Sequence, residues 1–212
     1  MCKRMGDKAM EEKVQRGVLL VLSGPSGTGK GTVCSEVRKT AENAIEYSVS
    51  ATTRKPREGE QDGREYFFFT KEKFEELRDR GGFLEWAQVY DNYYGTPREF
   101  VESVLASGKD CIVEIDPQGA MQVRKASDEA VLVYIVPPSL EELRNRLTGR
   151  GTETAEEVEK RMGCAKKEMS YMDQYDYIIV NDTVEDAAKR LKAIFNAERC
   201  RSWRTNKADY ID

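Results

Sequence analysis

Gly24-Pro25-Ser26-Gly27-Thr28-Gly29-Lys30 follows an unbroken, mostly aliphatic run over residues 17–23 and leads into a helical pattern. An apolar run without alternation is what a strand buried on both faces of a parallel sheet requires. Between such a strand and a helix, glycines at this spacing let successive backbone N–H groups point into one concavity. The helix adds its positive end, and Lys30 reaches toward the β- and γ-phosphates of a bound nucleotide. Gly24, Pro25, Ser26, Gly27, Thr28, Gly29, Lys30, Gly31 and Thr32 are therefore the expected contacts of a nucleoside triphosphate. One departure concerns the metal. The pattern usually has Ser or Thr directly after the lysine to ligate Mg²⁺, whereas here Gly31 comes first and Thr32 second. A triphosphate brings Mg²⁺ with several waters of its own. The ion's protein contact is thus left open between water alone, Thr32 and Glu114.

Outward from this loop, residues 111–115, 131–136 and 177–180 are further apolar runs, each followed by a polar turn and a helical pattern. The alternation predicts an α/β fold with a central parallel sheet flanked by helices. Residues 45–94 break it with short strands, aromatic clusters and an arginine-rich loop, so they are expected to form an inserted, mostly antiparallel subdomain. Helix starts are legible at Thr96-Pro97-Arg98-Glu99, Ser139-Leu140-Glu141-Glu142 and Thr154-Ala155-Glu156-Glu157, each with capping-box spacing. Gly108 is placed to stop the first of these helices. A last helix from about Val184 repeats apolar residues at Val184, Ala188, Leu191 and Phe195, beside Ala187 and Ile194.

The 212 residues, 39% hydrophobic, suffice for the core of one domain with a small insertion. With 34 basic and 38 acidic residues interspersed, the net charge of -4 gives no general attraction to nucleic acid or anionic membrane. The five cysteines are far apart and lack Cys-x-x-Cys spacing, which suits reduced, intracellular thiols. No apolar run reaches membrane-span length, and residues 1–16 are charged throughout, so a cytoplasmic protein with a flexible N-terminal extension is expected. There is no histidine, which excludes imidazole bases and imidazole metal ligands. Phosphoryl transfer survives that exclusion, because it depends on positioning and charge neutralisation.

The acceptor must be read from other stretches: Ser48-Val49-Ser50-Ala51-Thr52-Thr53-Arg54-Lys55-Pro56-Arg57, Gly63-Arg64-Glu65-Tyr66-Phe67, Phe83-Leu84-Glu85-Trp86-Ala87, Asn92-Tyr93-Tyr94-Gly95-Thr96 and Glu114-Ile115-Asp116-Pro117-Gln118-Gly119. With the phosphate loop and Gly149-Arg150-Gly151-Thr152-Glu153-Thr154, this order resembles the guanylate kinase family over roughly residues 17–198. The resemblance implies a P-loop nucleotide kinase that uses ATP with Mg²⁺ and phosphorylates GMP, and dGMP as well. It implies a core of residues 17–47, 97–143 and 171–198, a GMP-binding insertion at 48–96, a helical lid at 144–170 and a C-terminal tail at 199–212.

By that resemblance Glu85 accepts the guanine N1–H and amine together, a pair adenine does not present. Asp116 takes a further bond from the amine, while Ser50 and Thr96 face O6. Arg54 and Arg57 grip the acceptor phosphate, helped by Tyr66 and Tyr94. On residues alone, Arg54-Lys55-Pro56-Arg57 equally suits a solvated charged loop. Arg146, Arg150 and Arg161 match the family's lid arginines, which stabilise the transferring phosphoryl group; Arg144 is surplus. Asn181 either touches the adenine of ATP or caps the next helix. The rival readings are a guanylate-kinase-like binding module, a kinase of another monophosphate, and a GTPase or ATPase switch. The intact loop and arginines, the Glu85–Asp116 pair, and the lack of a marked water-positioning residue weigh against them in turn. No oligomeric state is readable.

Overall fold

Strand β1 (Leu19–Ser23) is buried along its whole length, and the reason is its place in the sheet. It lies between β7 (Asp110–Glu114) and β8 (Val131–Val136), pairing parallel with both. The computed structural model describes residues 15–40, 45–149 and 154–205. Among these, five parallel strands run in the order β2-β7-β1-β8-β9, with β2 at Ile45–Tyr47 and β9 at Tyr177–Val180. Side chains alternate between two apolar layers. Leu20 and Leu22 join Ile112, Val133 and Ile135 under α1 (Lys30–Thr40) and α7 (Val184–Arg199). Leu19 and Val21 join Val113 and Leu132 under α3 (Arg98–Ala106) and α4 (Pro117–Ala126). Truncating a leucine here costs about 2–5 kcal/mol, the range for a core Leu→Ala change. The alternation read from the sequence is therefore that of a sheet covered on both faces.

The order places β1 where the chain switches from one side of the sheet to the other. Ligands of open α/β sheets gather at the carboxyl ends of the strands at such a point. There β1 runs into the glycine loop. Gly24, at φ +150°, lies so close to β8 that an added Cβ would stand 2.2 Å from the Ile135 carbonyl oxygen. Only glycine fits, and this contact sets the loop's height above the sheet.

A second sheet orders β4 (Phe67–Phe68), β3 (Ala51–Thr52), β6 (Asn92–Pro97) and β5 (Phe83–Val89). The β3–β6 and β5–β6 pairings are antiparallel and β3–β4 is parallel, a mostly antiparallel unit as expected. Helix α2 (Lys71–Asp79), capped by Thr70, inserts Phe74 between Phe83 and Tyr93, at 4.3 and 5.3 Å between ring centroids. A bulge between Phe83 and Glu85 shifts the register so that Glu85 faces Thr96.

Helices α5 (Leu140–Thr148) and α6 (Ala155–Met169) pack through Leu143, Leu147, Val158 and Met162. Ser139 caps α5, and Thr154 with Glu157 forms the expected capping box of α6. The box expected at Thr96 does not form. Helix α3 starts at Arg98 with Pro97 as its N-cap and no side-chain cap bond, because Thr96 lies within strand β6 and its hydroxyl donates to Glu85. Helix α5 begins four residues before position 144, so the expected lid boundary falls inside a helix.

The chain ends are more firmly held than expected. Arg16 pairs with Glu102 and Glu129, at 2.6 and 3.2 Å. Arg199 pairs with the buried Asp110, and Arg204 donates to the Gly17 carbonyl. Residues 1–14 and 206–212 lie outside the described residues. No helix among the described residues is long and apolar enough to cross a membrane. Cys34 and Cys111 are buried and Cys164 and Cys200 exposed, all four free.

Candidate active site

The phosphate loop is locked from within. Thr28, fully buried, donates both its hydroxyl and its backbone N–H to the Pro25 carbonyl, at 2.9 and 3.3 Å. Gly27 and Gly29 take positive φ, and α1 begins at Lys30 with the Gly29 carbonyl accepting from Val33. The Lys30 ammonium donates to the Gly24 and Pro25 carbonyls at 2.7 and 3.2 Å, so it is held at the loop where phosphates would lie. Ser26 is exposed at the tip.

Across the cleft the second sheet supplies a carboxylate. Glu85 is 8% exposed, and its Oε1 accepts from the Thr96 hydroxyl at 2.6 Å. Burial pushes its carboxyl above the ordinary range; the Thr96 bond opposes the shift and the charge of Asp116 adds to it. Asp116 itself is exposed and caps α4, accepting from the Gly119 N–H at 2.8 Å. Gly119 was quoted in the sequence pattern without a role. An added Cβ there would stand 3.1 Å from Glu85 Oε2 and 3.5 Å from Asp116 Oδ1, so its missing side chain leaves room beside both carboxylates.

Arg54 is no freely solvated charge. Its guanidinium bonds Glu60 at 2.9 Å and the Lys55 carbonyl, and it lies 5.5 Å from the Tyr66 ring and 5.8 Å from that of Phe68. Glu60, chiefly through that bond, holds Arg54 above the ordinary arginine range, and Arg54 draws the Glu60 carboxyl down. The other Glu60 oxygen accepts from the Arg57 backbone, leaving the Arg57 residue exposed. Tyr66 and Tyr94 meet edge to face at 6.0 Å. Ser50, half-buried, is tied to the sheet by its carbonyl, which accepts from Phe67. Sequence reasoning missed Glu60. Its only signal was one acid among three, Glu58, Glu60 and Asp62, in a loop otherwise read for its arginines.

Two of the arginines expected in a lid reach the loop side. Arg146 bonds Glu142 at 2.8 Å and the Asn181 carbonyl at 3.0 Å; Arg161 donates to the Ser26 hydroxyl at 3.3 Å. Arg150 lies outside the described residues. Arg144 instead ion-pairs Glu159, joining α5 to α6. Of the two readings of Asn181, the helix cap is overturned. Thr183 caps α7 by accepting from Asp186, and the Asn181 side chain donates to the Thr28 carbonyl at 2.7 Å.

A cavity of about 430 Å³ beside the loop is lined by Gly31, Ser35, Arg38, Lys39, Tyr47 and Glu114. Nothing lies within 4 Å of an added Gly31 Cβ, and Thr32 is exposed on the same helical turn. A hydroxyl, one carboxylate and room for water are hard oxygen donors that fit Mg²⁺. Among the described residues no three His, Cys, Asp or Glu side chains gather into a metal site. The fit is thus to an ion carried largely by nucleotide and water. A second cavity of about 200 Å³ joins Asp116, Pro117 and Gln118 to Cys164, Lys167, Glu168 and Tyr171. Glu168 is pushed up by burial, with Lys30 opposing and Asp116 adding.

These features recur in known proteins. A family model described as guanylate kinase matches residues 16–198. A guanylate kinase of Clostridioides difficile is 52% identical over 88% of this chain and 90% of its own length. One of Halalkalibacterium halodurans is 54% identical over 88% and 91%. The crystal structure of guanylate kinase from Anaplasma phagocytophilum superposes with a TM-score of 0.68 at 36% identity, covering 90% of both chains. Matched by that model over residues 16–198 and by these relatives over nearly its whole length, this protein belongs to the guanylate kinase family.

Proposed function

We propose that the protein transfers the γ-phosphoryl group of ATP to GMP, giving ADP and GDP by direct in-line displacement. The observation that carries this reading is Glu85, a buried carboxylate with a raised proton affinity, opposite a glycine-lined space and beside Asp116. A carboxylate kept from water gains most from a ligand that offers two adjacent N–H donors, and guanine does so. Adenine would leave it unpaired, so such a site rejects AMP strongly.

In this reading the insertion at residues 48–96 binds GMP, with Asp116 taking the amine and Ser50 and Thr96 facing O6. Arg54 and Arg57 grip the acceptor phosphate with Tyr66 and Tyr94, Arg54 exchanging Glu60 for phosphate oxygens. Lys30 turns from the Gly24 and Pro25 carbonyls to the transferring group, while the backbone of residues 24–32 cradles the ATP phosphates. Arg146, Arg150 and Arg161 neutralise charge on the phosphoryl oxygens from the lid at residues 144–170, a large term in this chemistry. Mg²⁺ would arrive with ATP and neutralise its charge, with water and Glu114 in the adjoining cavity, or Thr32 next to Gly31 on α1, to complete its shell. Closure of insertion and lid excludes water, so that GMP rather than water attacks.

The test is ADP production in a coupled assay with ATP and Mg²⁺, comparing GMP, dGMP, AMP, UMP and no acceptor. Turnover with GMP that collapses in Lys30→Ala and Glu85→Gln supports the reading. Folded protein without turnover on any acceptor would replace it with a binding module.

A further inference from the structure

Asn181 stands just past the end of β9 and is 3% exposed, with its backbone N–H, its carbonyl and its side-chain NH₂ all engaged. Its backbone N–H donates to the Val136 carbonyl at 2.8 Å, fixing it to the neighbouring strand. Its carbonyl accepts from Arg146 at 3.0 Å. Its side-chain amide donates to the Thr28 carbonyl at 2.7 Å. We propose that Asn181 is a positioning residue, which holds the phosphate loop in its nucleotide-accepting shape and ties that loop to Arg146.

The geometry at Thr28 supplies the reason. The hydroxyl and N–H of this fully buried residue are turned inward to Pro25. Its carbonyl therefore points the opposite way, toward Asn181, and a buried carbonyl without a donor is costly. The next residue, Gly29, has φ +85°, and an added Cβ would stand 2.7 Å from the Asn181 amide nitrogen. The amide thus fills the space beside the glycine whose conformation turns the loop into α1. Losing the donor frees the Thr28–Gly29 peptide to rotate, and that peptide's N–H belongs to the concavity that receives phosphate. Helix α7 does not need Asn181, since Thr183 caps it. Because Arg146 is bonded to the backbone of the same residue, loop and lid arginine share one anchor on the rigid sheet.

The inference rests on the loop receiving a polyphosphate, and a base-free ligand tests it apart from turnover. Mg²⁺-tripolyphosphate and Mg²⁺-ATP would each displace a fluorescent ATP analogue from the full chain, in wild type, Asn181→Ala and Asn181→Asp. Asp keeps the shape and removes the donor, and the thermal midpoint of each unliganded variant confirms that it is folded at the assay temperature. Positioning through the loop predicts that both affinities fall together, by about tenfold or more for a lost buried hydrogen bond. It also predicts a lower kcat with an unchanged KM for GMP. ATP affinity that falls while tripolyphosphate affinity holds would overturn the proposal in favour of base reading. Unchanged affinity for both would overturn it outright. Tripolyphosphate weakened as expected in an enzyme that does not phosphorylate GMP would refute the proposed reaction and leave this role standing.

Discussion

The donor and acceptor halves of the site keep their charges waiting in different ways. On the donor side the bonds are accepted by backbone carbonyls of the loop: Lys30 donates to those of Gly24 and Pro25, Thr28 to that of Pro25, and the Asn181 amide to that of Thr28. On the acceptor side, side chains occupy one another. Arg54 holds Glu60, and Glu85 holds the Thr96 hydroxyl. Backbone carbonyls cannot leave, so the donor loop keeps its shape whether or not phosphate is present. Side-chain partners can leave, so the acceptor half is stable empty and reorganises when its ligand arrives. A fixed cradle and an exchangeable one should respond differently to substitution.

The largest expected effect is at Lys30. Lys30→Ala leaves the loop glycines in place and removes the charge that meets the transferring group. We expect kcat to fall about 10³-fold, the upper range for loss of one preorganised electrostatic group, with KM for GMP unchanged in steady-state assays. A large rise in KM for GMP would break the separation of the two halves.

Glu85→Gln comes next and acts in two directions. Losing the charged acceptor should lower kcat/KM for GMP by about 10²-fold, as for a hydrogen bond to a buried charged group. The unliganded variant should nevertheless melt a few degrees higher, about the shift expected from removing a buried charge. The folded protein binds this proton more tightly than the unfolded chain does. Stability from this group is therefore greatest below the ordinary glutamate range and falls as pH rises through the raised folded value. GMP binding follows the opposite course, weakening as acid protonates Glu85 above the ordinary carboxyl range. Melting curves and KM for GMP against pH check both slopes; a variant less stable than wild type would refute the account.

That duality also marks how far the sequence could be read. The loop from Gly24 to Lys30 was legible because its chemistry is local: a strand, glycines at fixed spacing and a lysine, all within a few residues. Ser139 and Thr154 were legible caps for the same reason. Thr96 misled, because the local pattern of a capping box competed with a partner eleven residues away across a hairpin, and the buried carboxylate won. The bond from Asn181 to Thr28 was not legible for the same reason, since the two lie 153 residues apart. Arg16, Arg199 and Arg204 looked like tail charges until the fold brought Glu102, Asp110 and Gly17 beside them. What sequence cannot supply is the identity of a long-range partner when the residue has a plausible short-range use.

A smaller effect tests whether the acceptor half is exchangeable. If Glu60 holds the place of the GMP phosphate at Arg54, then Glu60→Gln releases the arginine and lowers KM for GMP by about two- to fivefold, the scale of an accessible ion pair. Inorganic phosphate should inhibit the variant more strongly. A raised KM would mean that Glu60 orients Arg54 for its ligand, and the acceptor half would then be as fixed as the donor half.

The smallest effect belongs to Arg144, and its neighbour makes it informative. Arg144 and Arg146 sit two positions apart on α5, so they leave the helix on opposite sides. Arg146 turns toward Asn181 and the loop, while Arg144 turns toward Glu159 on α6. Both members of the Arg144–Glu159 pair are well exposed, at 46% and 63% of their side-chain surface, and exposed pairs contribute little. Arg144→Ala should therefore change kcat by no more than about twofold, whereas Arg146→Ala or Arg161→Ala should cost about 10²-fold, as for a lost transition-state charge. The apolar contacts of Leu143 and Leu147 with Val158 and Met162 are enough to keep the two helices together. If Arg144→Ala loses as much as Arg146→Ala in single-turnover transfer, the α5–α6 ion pair is what aims the lid, and the fixed cradle extends across both helices.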